Sequence, residues 1–385
     1  MRIGIDTRAL ETGHRFRGIG TYARNLLKNI ARLDKENEYL FFTQKSPSDA
    51  SQIVPQAFKY QDVLVRQTAD PTRYNWSKDQ YSLPRAIRKN KIDLVHFLDQ
   101  LSCPMIKGAK TIVTVNDLFQ LKGGQKNWKN SIKTWPLKRA DKIIAISYYV
   151  KNDLIEFLKV DPGKIKIIYD GFDRDIFRLA EDPKKVEKFR QNLLKNRAKK
   201  YLFYIGSFID HEPRKNLDFL LEIFEKFLKK SDENIKLVIV GKTGSESERL
   251  INLAKKTGVA DKIIFTGYLE KDEELPLYFQ AAEMLIFPSL LEGFGLPLLQ
   301  AMACGTPVVS SNTSSLPEVM GEGGVLIDPQ NINAWVEEIM RIVDEPEYRQ
   351  KLIKQGLNQA EKFSWEKCAR ETLEIYKEVY QGETR

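Results

Sequence analysis

Three groups of residues in this chain have types and spacings that could do chemistry together. The stretch "SLLEGFGLPLLQ" (289–300) sets one carboxylate, Glu292, before a turn and a helix that opens at Leu296-Pro297. Gly293 and Gly295 remove side chains from that turn, so a ligand could come close to the backbone amides of Phe294, Gly295 and Leu296. Gln300 falls about two turns into the helix and carries an amide. In "GSFIDHEPRKN" (206–216), Gly206 and Ser207 follow an apolar run, and Arg214 and Lys215 stand where a helix should start. A cation at a helix N-terminus opposes the helix dipole, which suggests a separate purpose, and phosphate binding is the simplest. "RGIGTY" (17–22), with Gly18 and Gly20, also follows an apolar run and opens a helix, where amides could meet an anion. Taken alone, the same glycines fit an ordinary tight turn.

The histidines and acids elsewhere argue against a metal centre. His14, His96 and His211 lack ligand spacing. His96, at a strand end, reads as structural, and His14, just before the glycine loop, could meet a ligand. Asp173 and Asp175 imitate a metal-holding Asp-x-Asp pair, yet they fall in a linker. No metal is expected.

The elements that must position these groups are legible from hydrophobic periodicity. Short β-branched runs at 2–6, 38–43, 93–97, 111–115, 142–146 and 165–169 alternate with helical patterns such as 19–33, 79–90 and 148–158. Continuous apolar strands between amphipathic helices mean a parallel sheet covered on both faces. The pattern restarts at 201–206 and continues at 235–240, 262–267, 284–288, 306–310 and 324–328. The expected fold is therefore α/β, with two tandem Rossmann-like, doubly wound parallel-sheet domains whose strand ends face a cleft. "YDGFDRDIF" (169–177) has the composition of a linker. This places the domains at 1–172 and 173–363.

Composition sets outer limits. With 385 residues, 42% hydrophobic and 29% charged, the chain is long enough for two cores and is not disordered. Its first residues contain no apolar run long enough for a signal peptide, and no stretch reaches transmembrane length, so a cytoplasmic location is expected. Cys103, Cys304 and Cys368 lie far apart and should be buried, reduced thiols. The net charge of +9 is uneven: residues 1–170 hold 30 Lys/Arg against 17 Asp/Glu. The N-terminal half should therefore face something anionic. No nucleic-acid reading module accompanies that charge, so no nucleic acid is expected.

Taken in order, "RGIGTY", "TIVTVNDL" (111–118), "ADKIIAIS" (140–147), "IIYDGFD" (167–173), "YIGSF" (204–208), "PRKNL" (213–217), "FTGYL" (265–269), the Glu292 turn and "LPEV" (316–319) resemble one family over nearly the whole chain. It is the family 4 retaining glycosyltransferases of the GT-B fold, marked by a Glu, seven residues and a second Glu. The resemblance implies that Glu292 binds donor-sugar hydroxyls beside the anomeric carbon, and that amides of Phe294, Gly295 and Leu296 hold sugar and diphosphate. It implies that Lys215, with Arg214 adjacent, neutralises the diphosphate, that Gly18 and Gly20 form the loop closing over it, and that Tyr268 and Leu269 stand at the nucleobase. Gln300 occupies the place of the second Glu, at the ribose. Asn116 stands where the family has a His that contacts sugar and phosphate, leaving Asp117 as the nearby carboxylate, and Ser207 stands where an Arg is frequent.

The activity implied by the resemblance is that of a metal-independent retaining hexosyltransferase using a nucleotide-sugar co-substrate, with no other cofactor. "GIGTY" with "PRKN" resembles members that transfer mannose from GDP-mannose; UDP-glucose or another hexose donor is the alternative. The acceptor would be a glycan, a polysaccharide or a lipid-linked sugar. The substitutions at Asn116 and Gln300 also fit a nucleotide-sugar-binding module without turnover, and a sugar-nucleotide epimerase shares the fold. Residues 121–142 carry Lys126, Lys129 and Lys133 on one helical face and Trp128, Ile132 and Trp135 on another, interrupted by Pro136. That pattern fits contact with an anionic membrane surface, or else a helix burying its tryptophans. The segment 364–385 resembles the family's last helix, which returns to the N-terminal domain.

Overall fold

The structure, a computed structural model, describes the chain apart from residues 13–17, 45–48, 56–57, 66–75, 101, 120–127, 196, 207, 209–211, 243, 270–271 and 383–385, and apart from the side chains of 76–77, 128–133 and 272. The chain divides into two compact units, Met1–Gly171 with Ser364–Arg385, and Phe172–Phe363.

The first unit is built on a seven-stranded sheet. Its strands are β1 (Arg2–Asp6), β2 (Glu38–Thr43), β3 (Tyr60–Leu64), β4 (Leu94–Phe97), β5 (Lys110–Val115), β6 (Lys142–Ala145) and β7 (Ile165–Ile167). The order is β3-β2-β1-β4-β5-β6-β7, and every pairing is parallel. The central strands β4 and β6 are buried at every position, as strands covered on both faces must be. β3 is an addition to the strands expected from periodicity. Its sequence, YQDVL, is half-exposed and mixes polar with apolar residues because it lies at the sheet edge.

Helix Trp365–Gln381 belongs to this unit, and its start has a local cause: the Ser364 hydroxyl accepts from the Lys367 amide at 3.1 Å. It packs on helix Gly18–Leu33, with the Tyr22 and Trp365 rings 6.1 Å apart. A buried polar chain ties it to the sheet: Tyr376 Oη lies 2.7 Å from His96 Nδ1, His96 Nε2 lies 2.8 Å from Thr114 Oγ1, and Thr114 Oγ1 lies 2.9 Å from Tyr22 Oη. Burial pushes the His96 imidazole down to about 3, so the ring is neutral and can accept as well as donate. This is a structural histidine. Pro136 lies inside helix Trp128–Arg139 and does not interrupt it; the helix ends three residues later.

The second unit carries a six-stranded sheet of β8 (Lys200–Ile205), β9 (Ile235–Val240), β10 (Ile263–Gly267), β11 (Met284–Phe287), β12 (Val308–Ser311) and β13 (Val325–Ile327). The order is β10-β9-β8-β11-β12-β13, again all parallel. Helix Leu217–Lys230 buries Leu217, Leu220, Leu221, Phe224 and Phe227, the three- and four-residue spacing that one helical face requires. All three cysteines are free and buried, and burial raises each thiol above its ordinary range.

Candidate functional site

The order of the second sheet reverses between β8 and β11, which makes the loops after these two strands the walls of the natural ligand crevice. The loop after β8 leads into a short turn, Pro213–Lys215, and the loop after β11 leads into helix Leu296–Ala303. These loops bring together residues far apart in the chain. Lys215 Nζ donates to Glu292 Oε1 at 2.9 Å, and Arg214 Nη1 donates to Glu292 Oε2 at 3.2 Å. Ser289 Oγ adds a third bond to Glu292 Oε1 at 2.7 Å.

The electrostatics of this cluster are set by its partners. The Lys215 and Glu292 side chains are each 13% exposed. Burial by itself would push the Glu292 carboxyl up, but the charges of Lys215 and Arg214, with hydrogen bonds from Lys215 and Ser289, outweigh it and hold the group below its ordinary range. The carboxylate is ionised. Arg214 also meets Glu212 through Nη2, so two cations and two carboxylates share the cluster.

The turn itself is held from behind. The Glu292 amide donates to Ser314 Oγ at 3.0 Å, and Ser315 Oγ reaches the carbonyls of Glu292 and Phe294 at 2.9 and 2.8 Å. Gly295 adopts φ +116, and a Cβ there would come 2.9 Å from Leu316. The positive φ is what favours glycine at this position. Gly293 and Phe294 are buried, Leu296 is half-buried, and Gln300 is half-buried on the second turn of the helix. Tyr268 and Leu269 follow β10 directly, where Gly267 at φ +82 turns the chain; Tyr268 is 45% exposed and Leu269 half-buried. Gly206 follows β8 and packs on the Tyr204 ring. Ser207 lies outside the described residues.

In the first unit, Gly18 is exposed at the start of helix Gly18–Leu33, and Gly20 is buried in its first turn. Asn116 follows β5 and is buried, its side-chain amide donating to the Leu98 carbonyl at 3.2 Å while its backbone amide donates to Gln100 Oε1 at 3.2 Å. Asp117 is half-buried, and its Oδ1 accepts from the Phe119 amide at 3.3 Å. His14 lies outside the described residues, as do 120–127 and the side chains of 128–133 in the basic segment. Several residues that fix these sites carry weak sequence signals. Arg8 is wholly buried between Asp6 and Asp79, at 2.7 Å from each, and so pins the loop after β1. Ser289 and Glu212 do not stand out in sequence either, although each lies within three positions of the charge it holds.

The profile described as Glycosyltransferase Family 4 matches residues 16–176, and that described as Glycosyl transferases group 1 matches residues 185–359. The chain belongs to the family 4 glycosyltransferases. Among its relatives, this family 4 chain is 38% identical over 177 residues to O-antigen chain mannosyltransferase B of Escherichia coli, covering 46% of this chain and 45% of the relative. It is 30% identical to the serotype-specific mannosyltransferase WbdA of Escherichia coli over 71% of this chain and 34% of the relative. The chain thus spans less than half the length of these two relatives. The solved structure of sucrose-phosphate synthase from Thermosynechococcus elongatus superposes with a TM-score of 0.79 at 22% identity, covering 99% of this chain and 100% of that one. The fold is GT-B.

Proposed function

We propose that the chain transfers a hexose, mannose from GDP-mannose in the first instance, to a glycan or lipid-linked acceptor with retention of anomeric configuration. The observation that carries this reading is the Lys215–Glu292 pair at the strand-order switch of the second sheet, beside a glycine turn that opens a helix. The two mannosyltransferase relatives support the choice of sugar. In this reading the donor diphosphate lies against Lys215 and the amides of the Glu292 turn, and the base lies at Tyr268 and Leu269. Gln300 accepts from a ribose hydroxyl.

The bond between the anomeric carbon and the diphosphate oxygen breaks as the acceptor hydroxyl attacks from the same face, and the acceptor proton passes to the leaving phosphate. Lys215 stabilises the negative charge that develops on the diphosphate, and the Glu292 carboxylate stabilises the positive charge on the sugar. No divalent cation is needed for this. Incubation with a panel of nucleotide sugars tests the reading, with the product configuration read by proton NMR and the assay repeated in EDTA. Turnover of none of them, an inverted product, or loss of activity in EDTA would each remove the corresponding part.

A second part concerns the acceptor. Helix Trp128–Arg139 ends with Trp135, 45% exposed, under the Arg139 guanidinium at 4.3 Å, and with Lys138 and Arg139 exposed. An aromatic ring beside cations suits the headgroup region of an anionic membrane, which would bring a lipid-linked acceptor to the first unit at the cytoplasmic face. Flotation with anionic liposomes tests this; absence of salt-sensitive association would discard it. Among the described residues no helix is long and apolar enough to cross a membrane.

A further inference from the structure

Arg214 and Lys215 are adjacent cations, and both look available for a diphosphate. Their surroundings differ. Lys215 Nζ donates to Glu292 Oε1 at 2.9 Å, with the Phe287 ring below at 5.9 Å. Arg214 is fastened to the Glu292 turn from both its backbone and its side chain. Its carbonyl accepts from the Leu290 amide at 2.7 Å and from Ser289 Oγ at 3.0 Å. Its Nη1 donates to the Leu291 carbonyl at 3.1 Å and to Glu292 Oε2 at 3.2 Å, while Nη2 donates to Glu212.

We propose that Arg214 is a positioning residue that holds the Glu292 carboxylate in place, with Glu212 as its fixed counter-ion, and that of the two cations only Lys215 meets the donor diphosphate. The inference rests on the donor-site reading above and divides the labour of the two cations. A guanidinium suits the task because its planar fork serves a carbonyl and two carboxylates from two nitrogens held in fixed directions, whereas an ammonium donates from a single nitrogen. Glu212 neutralises Arg214 whether or not a ligand is bound, so little of that charge is left to attract an anion. Lys215 has Glu292 as its counter-ion among the described residues, and that carboxylate has other donors to fall back on when a diphosphate arrives. Ser289, which bonds both Glu292 and the Arg214 carbonyl, links the two halves of the brace.

The division predicts a split in kinetics and binding. Moving a reacting group by about an ångström costs on the order of 100-fold in turnover, whereas losing one charge-assisted bond to a phosphate costs on the order of 10- to 100-fold in affinity. The experiment measures the dissociation constants of GDP and UDP by calorimetry, and kcat with the working donor, for Arg214→Lys, Arg214→Met, Glu212→Gln and Lys215→Met. Melting temperatures check that each variant folds. The expected result is that both Arg214 variants bind the nucleoside diphosphate within about threefold of wild type but lose about 30- to 100-fold in kcat. Glu212→Gln, which leaves both cations in place, should lose kcat in the same direction by a smaller factor without loss of affinity. Lys215→Met should lose affinity. A weakening of diphosphate binding by Arg214→Met as large as that by Lys215→Met would overturn the assignment, and so would full kcat in Arg214→Lys, because charge alone would then suffice. Failure of the wild type to bind either nucleoside diphosphate would overturn the donor-site reading itself, and this assignment with it.

Discussion

Replacing Glu292 by Gln tests the centre of the proposed site through two readouts that should move in opposite directions. The carboxylate faces Lys215 at 2.9 Å, Arg214 at 3.2 Å and the Ser289 hydroxyl at 2.7 Å. Glutamine keeps the shape, but its NH2 group must then face a cation, and both cations lose a counter-charge. Breaking a buried ion pair costs about 3–5 kcal/mol. With the Lys215 and Glu292 side chains each 13% exposed and Arg214 still held by Glu212, roughly 2 kcal/mol is the appropriate figure, or a melting temperature lower by about 4–8 °C. Binding should respond in the other direction. At 2.9 Å and an effective dielectric of about 20, the Lys215–Glu292 attraction is on the order of 6 kcal/mol, and a diphosphate must compete with it. If about a quarter of that competition reaches the binding equilibrium, Glu292→Gln should bind GDP or UDP about tenfold more tightly. Turnover should fall by about two to three orders of magnitude, because the charge beside the anomeric carbon is gone. Calorimetric titration of the nucleoside diphosphate and a steady-state donor assay on the same preparation measure both. Weaker diphosphate binding, or undiminished turnover, would refute the reasoning and leave Glu292 as a brace for its turn.

Three other outcomes are expected. Gln300→Glu should tighten donor binding by about 1 kcal/mol, roughly fivefold, with kcat unchanged, since a half-buried carboxylate accepts ribose hydroxyls more strongly than an amide does; calorimetry showing weaker binding would remove Gln300 from the ribose. Tyr204→Phe should raise the melting temperature of the ligand-free protein, because the Tyr204 hydroxyl is buried without a hydrogen-bond partner among the described residues and its removal relieves a cost of about 1–3 kcal/mol; calorimetry showing a lower melting temperature would mean that the hydroxyl is bonded. Burial holds the Asp170 carboxyl well above its ordinary range, whereas in the unfolded chain it ionises above about pH 4. Its contribution to stability is therefore full below that pH and is lost as pH rises toward the folded value, so Asp170→Asn should flatten the decline in stability that sets in above about pH 4; denaturant titrations showing an unchanged slope would contradict this.

How far the molecule is legible in its sequence depends on which interactions are local. Strands β4, β9 and β11 are apolar nearly throughout because they are buried on both faces, and a continuous apolar run records that directly. β3 escapes the same test: an edge strand carries polar residues on purpose, so YQDVL reads as loop. The site divides along the same line. Glu292, Lys215, Gly295 and the opening of the helix at Leu296 stand out because each breaks a local rule, a cation at a helix start or glycines beside an acid. Their mutual arrangement is non-local. Only the placement of β8 beside β11 joins residues 214–215 to residues 289–292, and nothing in either stretch states that pairing. The division of charges is hidden from the sequence for the same reason. Motif by motif, Glu292 reads as a group for the sugar and the two cations as groups for the diphosphate, as though each waited for its ligand alone, whereas in the structure they bind one another. Buried charges without a ligand must find partners within the protein, since leaving them bare would cost several kcal/mol each, on the order of 3–5. A site built to accept a diphosphate therefore holds an internal substitute for it, and in the proposed mechanism the Glu292 carboxylate serves as that substitute. Donor binding then exchanges one anion for another at Lys215, and the freed carboxylate becomes available for the sugar at the moment the diphosphate is in place.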